Sequence, residues 1–255
     1  PVSAPGTVIL QVPAGSAQDA ATNGNAISNS VTVTFDTSAP ACALNQAAGQ
    51  ADPTNLSPVN FTMTCSETVT GFIASDVTLG GTATGQVATV SGSGATYTVA
   101  ISATGNGTII PTLAAGIVQD TSGNSNTVTV PSDNSVTYDT VSPTVTITTA
   151  SPTTNASPVI FTITFSEDVT GFVVGDLALS GSATRGTATL SGSGAVYTAS
   201  IPVSAPGTVI LQVPAGSAQD PATNGNAISN SVTVTFDTSA PACALNQAAG
   251  QADPT

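Results

Sequence analysis

The side chains with the most chemistry in this chain are carboxylates and carboxamides, and they return at a fixed interval. Asp120, Asn124 and Asn126 recur 100 residues later as Asp220, Asn224 and Asn226, Glu67 recurs as Glu167, and Asp76 recurs as Asp176. Asp168 stands beside Glu167, and Asp36 and Asp139 each open an Asp-Thr string. A donor set made only of oxygen suits a hard cation, and Ca²⁺ accepts six to eight oxygens from carboxylates, amides and backbone carbonyls. The chain has no histidine and a single cationic side chain, Arg185. The commonest general base and transition-metal ligand is therefore missing. Serines abound, but no His or Lys is present to activate one. Glu167-Asp168 runs straight into Val169 and the turn Thr170-Gly171, so it reads as a loop tip and not as an acid–base pair in a cleft. No enzyme activity is expected.

Composition narrows the partners. Only 6% of the 255 residues are charged while 40% are hydrophobic, so the chain can bury a core beneath a surface that is polar but hardly ionic. The net charge of −13 leaves nothing to displace counterions from phosphates, which argues against nucleic acid, and anionic membranes would repel the chain. No apolar run approaches the ~20 residues needed to span a bilayer. No secretory leader is visible, as expected of a window cut from something longer.

The elements that position these residues come in repeats. Residues 1–54 recur at 202–255 with one change, Ala20 to Pro221. Inside that 201-residue unit, Ser57-Pro58 recurs as Ser157-Pro158, Phe61 as Phe161, Gly71-Phe72 as Gly171-Phe172 and Tyr97 as Tyr197. Boundaries are marked by Asp36-Thr-Ser-Ala-Pro40, Asp139-Thr-Val-Ser-Pro143 and Asp237-Thr-Ser-Ala-Pro241. The expected organisation is the C-terminal part of one module (1–35), two whole modules (36–138 and 139–236) and the start of another (237–255).

Within each module apolar and polar residues alternate with period two. Val159, Phe161, Ile163 and Phe165 share one face against Thr162 and Thr164, and Val209, Leu211 and Val213 alternate with Ile210 and Gln212. Turn residues such as Ser91-Gly-Ser-Gly94 and Asn224-Gly225 separate the runs. About seven strands per ~100 residues predict an all-β chain of tandem immunoglobulin-like sandwiches. In the second module strand A falls near 144–149, B at 158–166, C across 172–180, D near 186–190, E at 195–202, F at 207–213 and G at 230–236.

The strings Phe165-Ser-Glu-Asp-Val-Thr-Gly-Phe172, Gly175-Asp-Leu177, Gly194-Ala-Val-Tyr197, Gly207-Thr-Val209 and Asp220-x-x-x-Asn224-x-Asn226 resemble bacterial Ig-like domains. Such domains occur in tandem in large secreted or surface-anchored proteins. The resemblance covers both whole modules and both fragments, and it implies a fold more than a function.

In that topology Cys42 on strand A and Cys65 near the end of strand B lie towards one end of the sandwich, where the second module carries Val145 and Phe165. Both cysteines are present or both absent, as for a bonded pair. A Cys42–Cys65 disulfide is expected, contributing about 3 kcal/mol and implying an oxidising compartment. Two buried free thiols are the alternative. Cys243 repeats Cys42, and its partner would lie beyond residue 255.

The B–C and F–G loops of such a sandwich lie at the pole where the module begins. That would bring together Asp36, Glu67, Asp76, Asp120, Asn124 and Asn126 in the first module, and Asp139, Glu167, Asp168, Asp176, Asp220, Asn224 and Asn226 in the second. Calcium is the expected cofactor of both sets, although Asp and Asn also favour loops for turn chemistry alone. The expected function is structural, an extracellular or cell-surface fibre or stalk whose partners are neighbouring modules and other copies of the chain. An adhesive module binding a glycan or a protein is the alternative. Tyr97 and Tyr197 are expected in the core or at its rim.

Overall fold

The computed structural model describes residues 2–247 and 249–251. It divides into two compact units, Pro1–Thr140 and Val141–Thr255. In the first unit the strands are β1 (Gly6–Leu10), β2 (Val31–Phe35), β3 (Ala41–Gln46), β4 (Val59–Val69), β5 (Val77–Gly80), β6 (Val87–Ser102), β7 (Gly107–Leu113), β8 (Thr127–Val128) and β9 (Val136–Tyr138). In the second they are β10 (Val145–Thr148), β11 (Thr153–Thr154), β12 (Val159–Val169), β13 (Ala178–Ser180), β14 (Thr184–Arg185), β15 (Thr189–Ile201), β16 (Val203–Ala205), β17 (Gly207–Gln212) and β18 (Val232–Phe236).

Each unit holds a two-sheet sandwich. The first pairs a sheet ordered β6-β4-β3-β8 with one ordered β5-β7-β9, and the second pairs β10-β12-β15 with β11-β18-β17-β13. Alternation decides what enters the core. Along β12, Val159, Phe161, Ile163 and Phe165 are buried while Ile160, Thr164 and Ser166 are exposed. β4 repeats this with Val59, Phe61, Met63 and Cys65. The facing sheet of the second unit supplies Val209, Leu211, Val234 and Phe236, closing one apolar cluster. Each such side chain contributes about 1.5–3 kcal/mol by leaving water.

Tyr97 and Tyr197 are both 7% exposed and belong to these cores. Their hydroxyls donate to the carbonyls of Val69 and Val169 at 2.9 and 3.5 Å, so the buried phenols keep a partner. Tyr97 packs edge-on against Phe72, and Tyr197 against Phe172 and Phe165.

Two local features differ from the sequence expectation. Strand C was expected across 172–180, but Val174–Asp176 form a 3-10 turn and the strand occupies only Ala178–Ser180. Strands D and E form one continuous element, β15, as β6 does in the first unit. The two arms of β6 face each other, with Thr89 Oγ1 donating to Ala100 O and Ser102 Oγ to Val87 O. The Ser-Gly-Ser-Gly string therefore lies within this element. A Cβ on Gly192 would sit 2.3 Å from Val196 O, so only glycine allows the arms to approach so closely. Residues 237–255 carry no strand among those described, and residues 248 and 252–255 lie outside the described residues.

Candidate functional site

The elements around Glu67 explain how an acidic pole forms. β4 pairs with β6 in two registers, Thr64↔Thr96 and Val69↔Gly94, and Glu67 lies in the irregularity between them. Such breaks re-aim side chains. Glu67, expected in the B–C loop, thus stands on the last stretch of a strand, and Glu167 repeats the arrangement between Thr164 and Val169 of β12. Just beyond, Thr70 exchanges backbone hydrogen bonds with Gln119, at 2.8 and 3.3 Å. That bridge delivers Asp120 beside Glu67. Asn124 then reaches across, its Nδ2 donating to Asp36 O at 3.2 Å.

The result is a triad. Carboxylate oxygens of Asp36, Glu67 and Asp120 all lie within 4.8 Å of one another. Asp120 is buried, and the other two are half-buried. No Lys, Arg or His side chain exists in this unit to offset them, since the only cationic side chain of the chain is Arg185. Calcium–oxygen bonds of about 2.4 Å place two ligands on opposite sides of one ion roughly 4.8 Å apart, so this spacing fits a shared cation. In the second unit, Glu167 and Asp220 likewise have carboxylate oxygens within 4.8 Å. Asp139 closes the first unit, its N–H donating to Thr54 O at 2.9 Å.

The loop after β7 has an internal logic of its own. Asp120 Oδ1 accepts from the N–H of Ser122 and of Asn124, each at 2.8 Å, and Oδ2 accepts from Asn124 Nδ2 at 2.8 Å. The Asn124 amide, followed by backbone N–H groups, holds the Asp120 carboxyl below the usual carboxylate range despite the opposing effect of burial. Asn126 turns inward. Its Oδ1 accepts from Ile117 and Val118 N–H at 2.8 and 3.1 Å, and its Nδ2 donates to Ala114 O at 3.2 Å.

Asp220, Asn224 and Asn226 make matching bonds. So do Asp19, Asn23 and Asn25, in a loop almost wholly exposed to solvent. The Asp-x-x-x-Asn-x-Asn string is therefore a brace that folds the same way with or without a sandwich beneath it. This leaves the Asp120 carboxylate, and not Asn126, as the loop's candidate ligand.

The remaining expected ligands do other work. Asp76 Oδ2 accepts from Ile73 N–H at 2.9 Å and Asp176 Oδ2 from Val173 N–H at 2.8 Å, so each caps its own 3-10 turn. Asp168 is exposed, with an oxygen beside Gly194, and the first module has Thr68 in its place. Asp76, Asp176 and Asp168 are not in the acidic groups found among the described residues. Sequence spacing could not separate a capping aspartate from a converging one, because both recur every 100 residues.

The cysteines sit on the neighbouring strands. Cys42 of β3 faces Cys65 of β4 in direct register, and the two form a disulfide with Cα atoms 4.1 Å apart. Val145 and Phe165 hold the same register in the second unit. There the Phe165 ring meets Phe172 at 5.3 Å and Tyr197 at 5.9 Å, both edge-on. One module thus closes this end with a covalent bond and the other with an aromatic cluster. Cys243 is exposed and free. A groove of about 420 Å³ beside Phe172 has no carboxylate, carboxamide or thiol in its lining, so it offers a ligand little beyond shape.

No helix among the described residues is long and apolar enough to cross a membrane. A search of curated proteins finds no match to the chain. The family profile described as bacterial Ig-like domain matches residues 139–236, the span that holds β10 to β18. Residues 139–236 are thus similar to bacterial Ig-like domains, in keeping with the sandwich they form.

Proposed function

We propose that this chain is a structural repeat segment of an extracellular bacterial fibre or surface stalk, in which folded modules set spacing and repetition sets length. The observation that carries this reading is the pairing of sequence repetition with separate cores. Residues 36–138 and 139–236 repeat one strand pattern, and each unit encloses its own apolar cluster. Such a chain gains length without gaining a new fold. Bacterial Ig-like domains are as a rule non-catalytic, which agrees with the lack of histidine and lysine. The Cys42–Cys65 bond supports an oxidising, extracytoplasmic location.

Calcium is the proposed cofactor. The Asp36, Glu67 and Asp120 carboxylates would hold it, tying the entry of the module to the end of β4 and to the loop after β7. The ion would relieve the mutual repulsion of three anions that have no cationic side chain near them in sequence.

Electron microscopy of the purified native material with and without a calcium chelator tests the reading. Ordered filaments that soften or separate under chelation are the expected result. Isolated flexible strings, unchanged by chelation, would remove both the fibre and the calcium from the account.

A further inference from the structure

The exit of the first sandwich is tied down one residue further than its strands require. β9 pairs with β7 on one side, Gly107 lying opposite Tyr138. On the other side Thr54 N–H donates to Thr137 O, and Asp139 N–H donates to Thr54 O, both at 2.9 Å. Thr140 lies past both contacts. Its N–H and its Oγ1 nevertheless donate to one atom, Oδ1 of Asn106, at 3.1 and 2.8 Å. Asn106 stands in the turn between β6 and β7, directly ahead of Gly107. A single carboxamide oxygen therefore fixes the backbone and the side chain of Thr140 together.

The turn itself does not call for asparagine. In the second unit Gly207 pairs with Phe236 as Gly107 pairs with Tyr138. Ala183 N–H donates to Thr208 O at 3.0 Å, as Ala83 N–H does to Thr108 O. The two glycines have similar φ, +138° and +151°. Yet the residue ahead of Gly207 is Pro206, and Pro5 stands ahead of Gly6. Proline builds the same turn and has no side-chain acceptor to offer. Each turn is matched by an Asp-Thr pair after the last strand, Asp139-Thr140 and Asp237-Thr238. The threonine recurs, and its acceptor does not.

We propose that Asn106 is a positioning residue, a latch that holds the first linker residue after Asp139 against the unit it leaves. Each 201-residue repeat then carries one latched exit, at Asn106, and one unlatched exit, at Pro206. A fibre built from such repeats alternates a stiffer joint with a looser one. The inference rests on the spacer reading for its purpose. The latch is a local contact, however, and its failure would leave the stepwise unfolding of separate modules untouched.

The test uses the full chain. Amide hydrogen exchange of Thr140 N–H is compared in the unchanged chain, in Asn106→Pro and in Asn106→Asp. Asn106→Pro installs the second module's own residue and should speed exchange at Thr140 by about three- to tenfold, the effect of losing one ordinary hydrogen bond. Asp139 N–H, held by Thr54, should keep its rate. Asn106→Asp retains an acceptor oxygen and should retain the protection. Asn106→Ala repeats the loss without a proline, should the ring disturb the turn.

A second readout follows the joint. Spin labels on Thr98→Cys and Thr164→Cys, in a chain carrying Cys243→Ser, report the spread of distances between exposed strand positions of the two units. Asn106→Pro should broaden that spread, and Asn106→Asp should not. Equal Thr140 exchange in all chains would overturn the latch. Faster exchange at Asp139 as well would overturn it too, by showing a general loosening of the exit. Faster Thr140 exchange with an unchanged distance spread would overturn the alternation of joints.

Discussion

At the scale of the residue, one loop position is strained in the second whole module and relaxed in the first. In the brace after β7, Gly123 takes φ +91°, and its counterpart Thr223 is forced to φ 72°. A β-branched residue there costs about 1–2 kcal/mol that glycine does not. Thr223→Gly should therefore stabilise the second unit by about 1 kcal/mol, read as a higher denaturant midpoint with unchanged slope. The same loop sets an acid limit. The carboxyls of Asp120 and Asp19 are both held below the ordinary carboxylate value, chiefly by the side-chain amides of Asn124 and Asn23. Their folded pKa is the lower one, so the stabilisation is present above the unfolded value of about 3.9 and is lost as pH falls through the folded value. Asp120→Asn should lower the melting temperature at about pH 6 and flatten its fall towards about pH 3. An unchanged acid limb in the variant would contradict the brace.

The elements carry most of the stability and were the most legible part of the sequence. Alternation from Val159 to Phe165 sets the buried face of β12 without ambiguity, because a slip of one residue would turn every side chain outward. The 3-10 turns at Ala74–Asp76 and Val174–Asp176 were not legible, being shorter than any period can show. Nor was the break in β4 that aims Glu67, since it depends on partner strands far away in sequence.

The candidate site was correspondingly half visible. The convergence of Asp36, Glu67 and Asp120 followed from topology, whereas the capping role of Asp76 and the inward turn of Asn126 depend on hydrogen bonds that spacing does not encode. Two stability predictions belong here. Phe161, at 0% exposure in the centre of its core, should cost about 3–5 kcal/mol on replacement by alanine. Reducing the Cys42–Cys65 bond should cost about 3 kcal/mol in the first unit and nothing in the second. Calorimetry resolving the two transitions checks both.

For the whole molecule, two sandwiches with separate cores form a chain that should respond to load one module at a time. Calcium would act on that response. If the triad holds the ion with the weak affinity common in extracellular modules, a dissociation constant of about 10⁻⁴–10⁻³ M, Glu67→Gln should weaken it at least tenfold by titration calorimetry while leaving Phe61 and its core undisturbed.

The central claim, that folded modules act as independent mechanical spacers, is tested most directly by pulling single molecules with and without a reductant. At roughly 3.5 Å per extended residue, each ~100-residue module should release its length in its own step of about 300 Å. The 23-residue separation between Cys42 and Cys65 should keep roughly 80 Å of one step locked until the bond is reduced. Two distinct steps, one of which lengthens on reduction, are the predicted result. Smooth extension without steps, or one merged step that ignores the reductant, would contradict the account.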